Sequence, residues 1–218
     1  MTLPSPAPDL GDPALHERMV GRLDPLHHEG DRPLTSDYDL SPNALPAPLE
    51  PLTPASVLIA LIPRETGHSV LLTRRVDTLR RHAGQIAFPG GRRDQGETVW
   101  GAALREAHEE VGLHPDFVSL VGLSSPYRTG TGYLITPVVG FVKPGFSLEA
   151  NPDEVADIFE TPFSYLMDRS NHEEHERVLP GGETRRFYAM THDDRFIWGA
   201  TAGMLRALSH RLFDEVRT

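Results

Sequence analysis

Between Ala55 and Arg75 the chain carries two dense apolar runs, "ASVLIALIP" and "SVLLTRR", split by "RETG". Runs of Val, Leu and Ile broken by a short glycine-containing segment predict a hairpin of two strands. "GQIAFPGG" predicts a short strand ended by proline and glycines. The period then changes. In "GETVWGAALREAHEEVGL", Trp100, Ala103, Leu104, Ala107 and Val111 recur every three or four residues. That spacing predicts a helix with one apolar face, and Gly112 supplies its stop. "FVSLVGLSS", "YLITPVVGFV" and "RRFYAMTHDDRFIW" predict further strands, and "VADIFE" has strand character. "TPFSYLMD" predicts a short helix with a threonine cap and a first-turn proline. From Ala200 to about Phe213, Met204, Leu205, Leu208 and Leu212 predict a second amphipathic helix. Two helix layers around a mixed sheet bury both apolar faces. The expected fold class is therefore α+β, an α/β/α sandwich with a mixed β-sheet between helices.

Residues 1–54 read differently. Proline recurs throughout, removing amide donors and interrupting regular elements. The segment is expected to be an N-terminal arm with one short helix, from Pro13 to about Arg22, capped by Asp12. The main domain is expected over residues 55–218.

Composition narrows the chemistry. The 218 residues include no cysteine, which excludes disulfides, a thiol nucleophile and a zinc–thiolate site. No apolar run approaches the ~20 residues that span a bilayer. The N-terminus does not read as a signal peptide, so a soluble, cytoplasmic protein with no membrane partner is expected. A net charge of -10 argues against a nucleic-acid partner. Six arginines nevertheless fall between Arg74 and Arg93, next to the most acidic helix.

On that helix, Glu106, Glu109 and Glu110 stand at i, i+3 and i+4 and share a face. Three carboxylates in one region oppose one another unless a cation sits among them. Magnesium and manganese take such oxygen donors beside phosphates. A glutamate-rich helix face alone is usually just solvated. The preceding "FPGG" adds to the case, because glycines permit close backbone approach and helix amides receive anions. Arg105 is placed to reach back to Glu97. "NHEEHER", residues 171–177, is expected to be an exposed charged linker, with metal binding by His172 and His175 as the alternative.

The stretch "GRRDQGETVWGAALREAHEEVGL", Gly91 to Leu113, resembles the Nudix signature. Gly91, Glu97, Arg105, Glu106, Glu109, Glu110, Gly112 and Leu113 fall in its register, and Ala107 takes an aliphatic position. The resemblance implies a magnesium- or manganese-dependent enzyme that cleaves a nucleoside diphosphate linked to another group. It implies Glu106, Glu109 and Glu110 as metal ligands joined by Gly90, and catalytic roles for these glutamates. Glu110 is the first choice of general base. Glu154, ahead of "VADIFE", is a second carboxylate that can return to the cluster as a metal ligand or base, with a plain surface charge as the alternative.

Upstream, "LLTRRVDTLRRHAGQIAFPGG", Leu71 to Gly91, resembles the coenzyme A pyrophosphatases of that family, departing at Val76 where a smaller residue is usual. The resemblance also takes in "NPDEVADIFETPFSYLMD" and "IWGATAGMLRAL". It implies coenzyme A or a close derivative as the small-molecule substrate. Arginine forks suit phosphate, so Arg75, Arg80, Arg81, His82, Gly90, Gly91 and Arg128 are the expected substrate contacts. Tyr127 or Tyr133 is a candidate to stack on the base, while Phe88 and Trp100 are expected in the core. Two other readings stay open. One is a Nudix hydrolase for ADP-ribose, a dinucleotide or a nucleoside triphosphate. The other is a non-catalytic nucleotide-binding protein, which the retention of all three glutamates opposes.

Overall fold

A computed structural model describes residues 12–28, 32–41, 51–78, 83–178, 182 and 184–215. The expected hairpin forms from β2 (Thr53–Arg64) and β3 (Gly67–Arg75), with β1 (Thr35–Ser36) lying upstream in the arm. Then come β4 (Ile86–Ala87), β5 (Gly90–Arg92), β6 (Val118–Leu123), β7 (Tyr127–Arg128), β8 (Tyr133–Val142) and β9 (Val155–Pro162). These nine strands make one mixed sheet. β2 runs parallel to β8 and antiparallel to both β3 and β5. A second sheet holds β10 (Glu173–Val178), β11 (Thr184–His192) and β12 (Arg195–Trp198) in that order.

β2 is apolar almost without a break because it is covered on both faces. Ile59 and Leu61 point into one core with Met204, Leu205, Leu208 and Leu212 of α4 (Ala200–Phe213). Leu58, Ala60 and Ile62 point into the other, against Trp100, Ala103, Leu104, Ala107 and Val111 of α2 (Val99–Val111). The sheet is thus flanked by helices, an α+β sandwich. Thr98 caps α2 by accepting from Gly101 N, and Gly112 ends it with φ 70°. The helix therefore starts and stops where its chemistry says it should.

The arm contributes packed structure. α1 (Pro13–Arg22) is capped by Asp12, whose carboxylate accepts from Leu15 N at 3.1 Å. Its Met19 and the following Leu23 lie in the α4-side core. β1 pairs in parallel with β7.

Three expectations need correction. "TPFSYLMD" does contain a helix, α3 (Phe163–Met167), but Pro162 holds the cap position and no side chain caps it. Thr161 belongs to β9, paired with Val70 one residue before the cap position, so the strand rather than the helix start sets its side chain. "RRFYAMTHDDRFIW" is two strands, because Asp193 turns the chain with φ 53°. "NHEEHER" supplies most of β10. Its side chains are largely exposed, as the polar composition demands, yet its backbone pairs with β11 from Glu173–Ala189 to Val178–Thr184.

Candidate active site

β5 lies beside β2 and under α2, and two glycines let it approach both. A Cβ on Gly90 would be 2.6 Å from Val57 Cα, and one on Gly91 would be 2.5 Å from the Glu106 carboxylate. The same close approach lets Gly90 N donate to Glu110 Oε2 at 3.1 Å.

The three glutamates of α2 span a gradient from core to solvent. Glu110 is 3% exposed. Its other oxygen faces Arg75 Nη1 at 3.6 Å. Burial pushes its carboxyl up to about 7. The Gly90 amide and Arg75 oppose that rise, whereas the charges of Glu154 and Glu106 add to it. Glu106 is raised too, chiefly by burial, with Arg105 opposing and Glu109 and Glu154 reinforcing. Glu109 is at the rim with half its side chain exposed. Glu154 precedes β9, and its charge reaches both Glu106 and Glu110.

Arg105 organises the outer half of the site. Nε and Nη2 donate to the two oxygens of Glu97 at 3.0 and 3.1 Å. Nη1 donates to Glu106 at 3.0 Å and Glu109 at 2.9 Å, and Nη2 also donates to Arg92 O at 3.0 Å. The Arg105 hydrogen bonds hold Glu97 below the usual carboxylate range. Asp94 N, 3.1 Å from Glu97 Oε2, closes the loop onto the helix.

The side-chain donors match a hard divalent cation in kind: they are carboxylate oxygens, close enough to raise one another, with one of them buried. Among the described residues, however, no three His, Cys, Asp or Glu side chains stand together in ligating geometry. Glu106 and Glu109 turn to Arg105, and Glu110 turns to Gly90 and Arg75.

A cleft of about 440 Å³ opens beside this cluster. Arg75, Gly90, Gly91 and Arg92 form the wall nearest the glutamates. Thr201 of α4, whose hydroxyl donates to Ile86 O at 2.9 Å, helps close another side. Tyr133 lines the cleft, with its hydroxyl accepting from Arg92 at 3.1 Å. Tyr127 does not. It is buried, its hydroxyl donates to Asp37 at 3.0 Å, and burial together with Asp37 raises its pKa. Arg128 lies on β7 away from the cleft lining. Arg74, the neighbour of Arg75, pairs with Asp77 at 3.2 Å. Arg80, Arg81 and His82 lie outside the described residues. Phe88 and Trp100 are core residues. Among the described residues His172 and His175 join no metal-type cluster; His172 Nε2 lies 2.8 Å from Leu166 O, and His175 pairs with Glu173.

Sequence reasoning missed one wall of the cleft. Arg177, Arg185, Phe187 and Trp198 come from β10, β11 and β12, and Asp37 comes from the arm. Asp37 accepts from Gly130 N at 2.7 Å and pairs with Arg185 at 2.6 Å. Period-two alternation in "ETRRFY" was the available signal for that face.

Comparison with known proteins gives a match to the NUDIX domain over residues 52–182. An uncharacterized Nudix hydrolase, NudL, of Photorhabdus laumondii is 42% identical over 161 residues, covering 72% of this chain and 84% of the relative. The NudL of Escherichia coli O139:H28 is 39% identical over 184 residues, covering 82% and 95%. Among solved structures, the Nudix hydrolase RenU of M. smegmatis is 26% identical with a TM-score of 0.45, covering 53% of this chain and 74% of that one.

Proposed function

This chain belongs to the Nudix family and is a pyrophosphohydrolase, and from that premise we propose that it hydrolyses the diphosphate of coenzyme A or a close derivative. The products are 4′-phosphopantetheine and adenosine 3′,5′-bisphosphate. The observation that carries this reading is the stretch from Leu71 to Gly91, the one that resembles coenzyme A pyrophosphatases. Arg75, Gly90 and Gly91 of that stretch line the cleft, and Arg75 and Gly90 both contact Glu110. The family match taken alone favours a broader reading, a nucleotide or dinucleotide diphosphate such as ADP-ribose, since the relatives' names specify no substrate.

Glu106, Glu109 and Glu110 would hold magnesium or manganese, joined by Gly90, with Glu154 nearby. Such an ion, when bound, offsets charge on the phosphoryl oxygens and polarises the phosphorus centre. The chain's own residues do the rest. Arg75 sits where an anionic diphosphate enters, and its fork donates to non-bridging oxygens as charge grows. Water attacks phosphorus in line with the departing phosphate oxygen, so no covalent intermediate forms. A carboxylate oxygen of Glu110 is the first choice to take the water proton, with Glu154 second. Arg105 keeps Glu106 and Glu109 oriented through its link to Glu97.

The test is product identification by mass after incubation of the purified protein with magnesium and coenzyme A in ¹⁸O-water. The expected result is the two products named, with one ¹⁸O in one of them. Intact coenzyme A after extended incubation would overturn the assignment.

A further inference from the structure

One face of the β10–β12 sheet lines the cleft, and the chemistry above makes no use of it. Register sets Arg177 directly across from Arg185 and His175 across from Phe187, while Trp198 stands across from Ala189. Side chains alternate along a strand, so Arg177, Arg185, Phe187 and Trp198 share one face. All four line the cleft.

The two faces of this sheet differ in how fully their arginines are paired. On the outer face Arg186 lies between Glu174 and Glu176, 3.7 Å from each, an ordinary neutralised arrangement. On the cleft face arginine opposes arginine, and like charges directly across an antiparallel pair repel. Arg185 is pinned there by Asp37 at 2.6 Å and lies over the Tyr38 ring at 5.1 Å. Arg177 is exposed, and among the described residues its side chain has no ion pair. Asp37 meets the charge of Arg185, so the charge left open on this face is that of Arg177, and an anion bridging the two guanidinium groups would meet it. Beside them the Phe187 and Trp198 rings stand 5.5 Å apart, tilted by 59°. Aromatic surface next to a pair of arginines is chemistry for a flat ring carrying a phosphate.

We propose that this face binds the nucleoside half of the substrate, with Phe187 and Trp198 against the base and Arg177 and Arg185 holding a phosphate other than the diphosphate under attack. For coenzyme A that phosphate is the 3′-phosphate, an identification that rests on the substrate reading given above. Asp37 is then a positioning residue, because it fixes Arg185 from the arm.

The chain has two tryptophans, Trp100 buried in the core and Trp198 in the cleft, so quenching of emission reports this face. The experiment titrates the full-length protein with adenosine 3′,5′-bisphosphate and with adenosine 5′-monophosphate. The bisphosphate should bind about tenfold tighter, the range one charge-assisted contact supplies. Arg177→Gln should bring the two affinities to within about twofold of each other while leaving the monophosphate's unchanged. Phe187→Leu should weaken both ligands alike. Equal affinities in the wild type, or an undiminished preference in Arg177→Gln, overturn the proposal. If coenzyme A is not cleaved but the Arg177-dependent preference is present, this face stands and the substrate reading falls. If coenzyme A is cleaved while both ligands bind alike, the reverse holds.

Discussion

The Glu106 carboxylate fills the space that a side chain on Gly91 would need: a Cβ there would lie 2.5 Å from its Cδ. The conflict is with the far end of a flexible side chain, which can swing aside. Gly91→Ala should therefore fold, losing less than about 1 kcal/mol, yet lose at least about tenfold in kcat as Glu106 is displaced. Gly90→Ala meets backbone at Ser56 and Val57 instead. It should cost stability, about 2 kcal/mol or more. Denaturant titration and steady-state rates on the two variants check the contrast, and equal stability losses would contradict it.

Arg105 and Glu97 form a two-bond pair that ties the β5–α2 loop to the helix. A double-mutant cycle with Arg105→Ala and Glu97→Ala should return a coupling of about 1–3 kcal/mol, beyond an ordinary surface pair. Additive effects would mean the two residues act independently.

Glu110→Gln keeps an acceptor for Gly90 N–H and removes a buried charge. Turnover should fall by at least about 100-fold, the usual worth of a positioned carboxylate. The melting temperature of the metal-free variant at pH 8 should be at or above that of the wild type, because an ionised buried Glu110 is unfavourable without a cation. Lower stability with near-normal turnover would remove Glu110 from the proposed machinery.

The legible parts of this molecule are the local ones. α2 announced itself by the spacing of Trp100, Ala103, Leu104, Ala107 and Val111 and by Gly112 at its end, and the structure buries each of those apolar residues. α4 and the Asp12 cap of α1 were equally plain. The carboxylates were legible as residues but not as geometry. Helical spacing puts Glu106, Glu109 and Glu110 on one side, but only packing makes Glu110 buried and Glu109 exposed. The far wall of the cleft was hidden because it depends on pairing between β10 and β11. Nothing in "NHEEHER" alone shows that Arg177 will face Arg185. Tyr127 misled for a related reason: its partner, Asp37, lies ninety residues upstream.

His172 gives the fold a pH dependence separate from catalysis. Its Nε2–H donates to Leu166 O at 2.8 Å, and its Nδ1 is buried without a partner among the described residues. Burial lowers its pKa from the ordinary 6.5. The unfolded chain therefore binds this proton more readily than the folded one. The contribution to stability is complete above about 6.5 and is lost as pH falls below it toward the depressed folded value. The stability difference between the wild type and His172→Gln should shrink from pH 7.5 to 5.5, by up to about 1 kcal/mol per pH unit. Thermal melts across that range check it, and a constant difference would show that His172 does not titrate.

Coenzyme A competes with three other diphosphate-bearing substrates when kcat/KM with magnesium is measured side by side on the 218-residue chain for coenzyme A, ADP-ribose, a diadenosine polyphosphate and a nucleoside triphosphate. Coenzyme A should lead by at least about tenfold, a difference of about 1.4 kcal/mol in transition-state binding. Faster cleavage of any of the other three would contradict it, leaving a Nudix hydrolase whose Leu71–Gly91 stretch serves a different substrate.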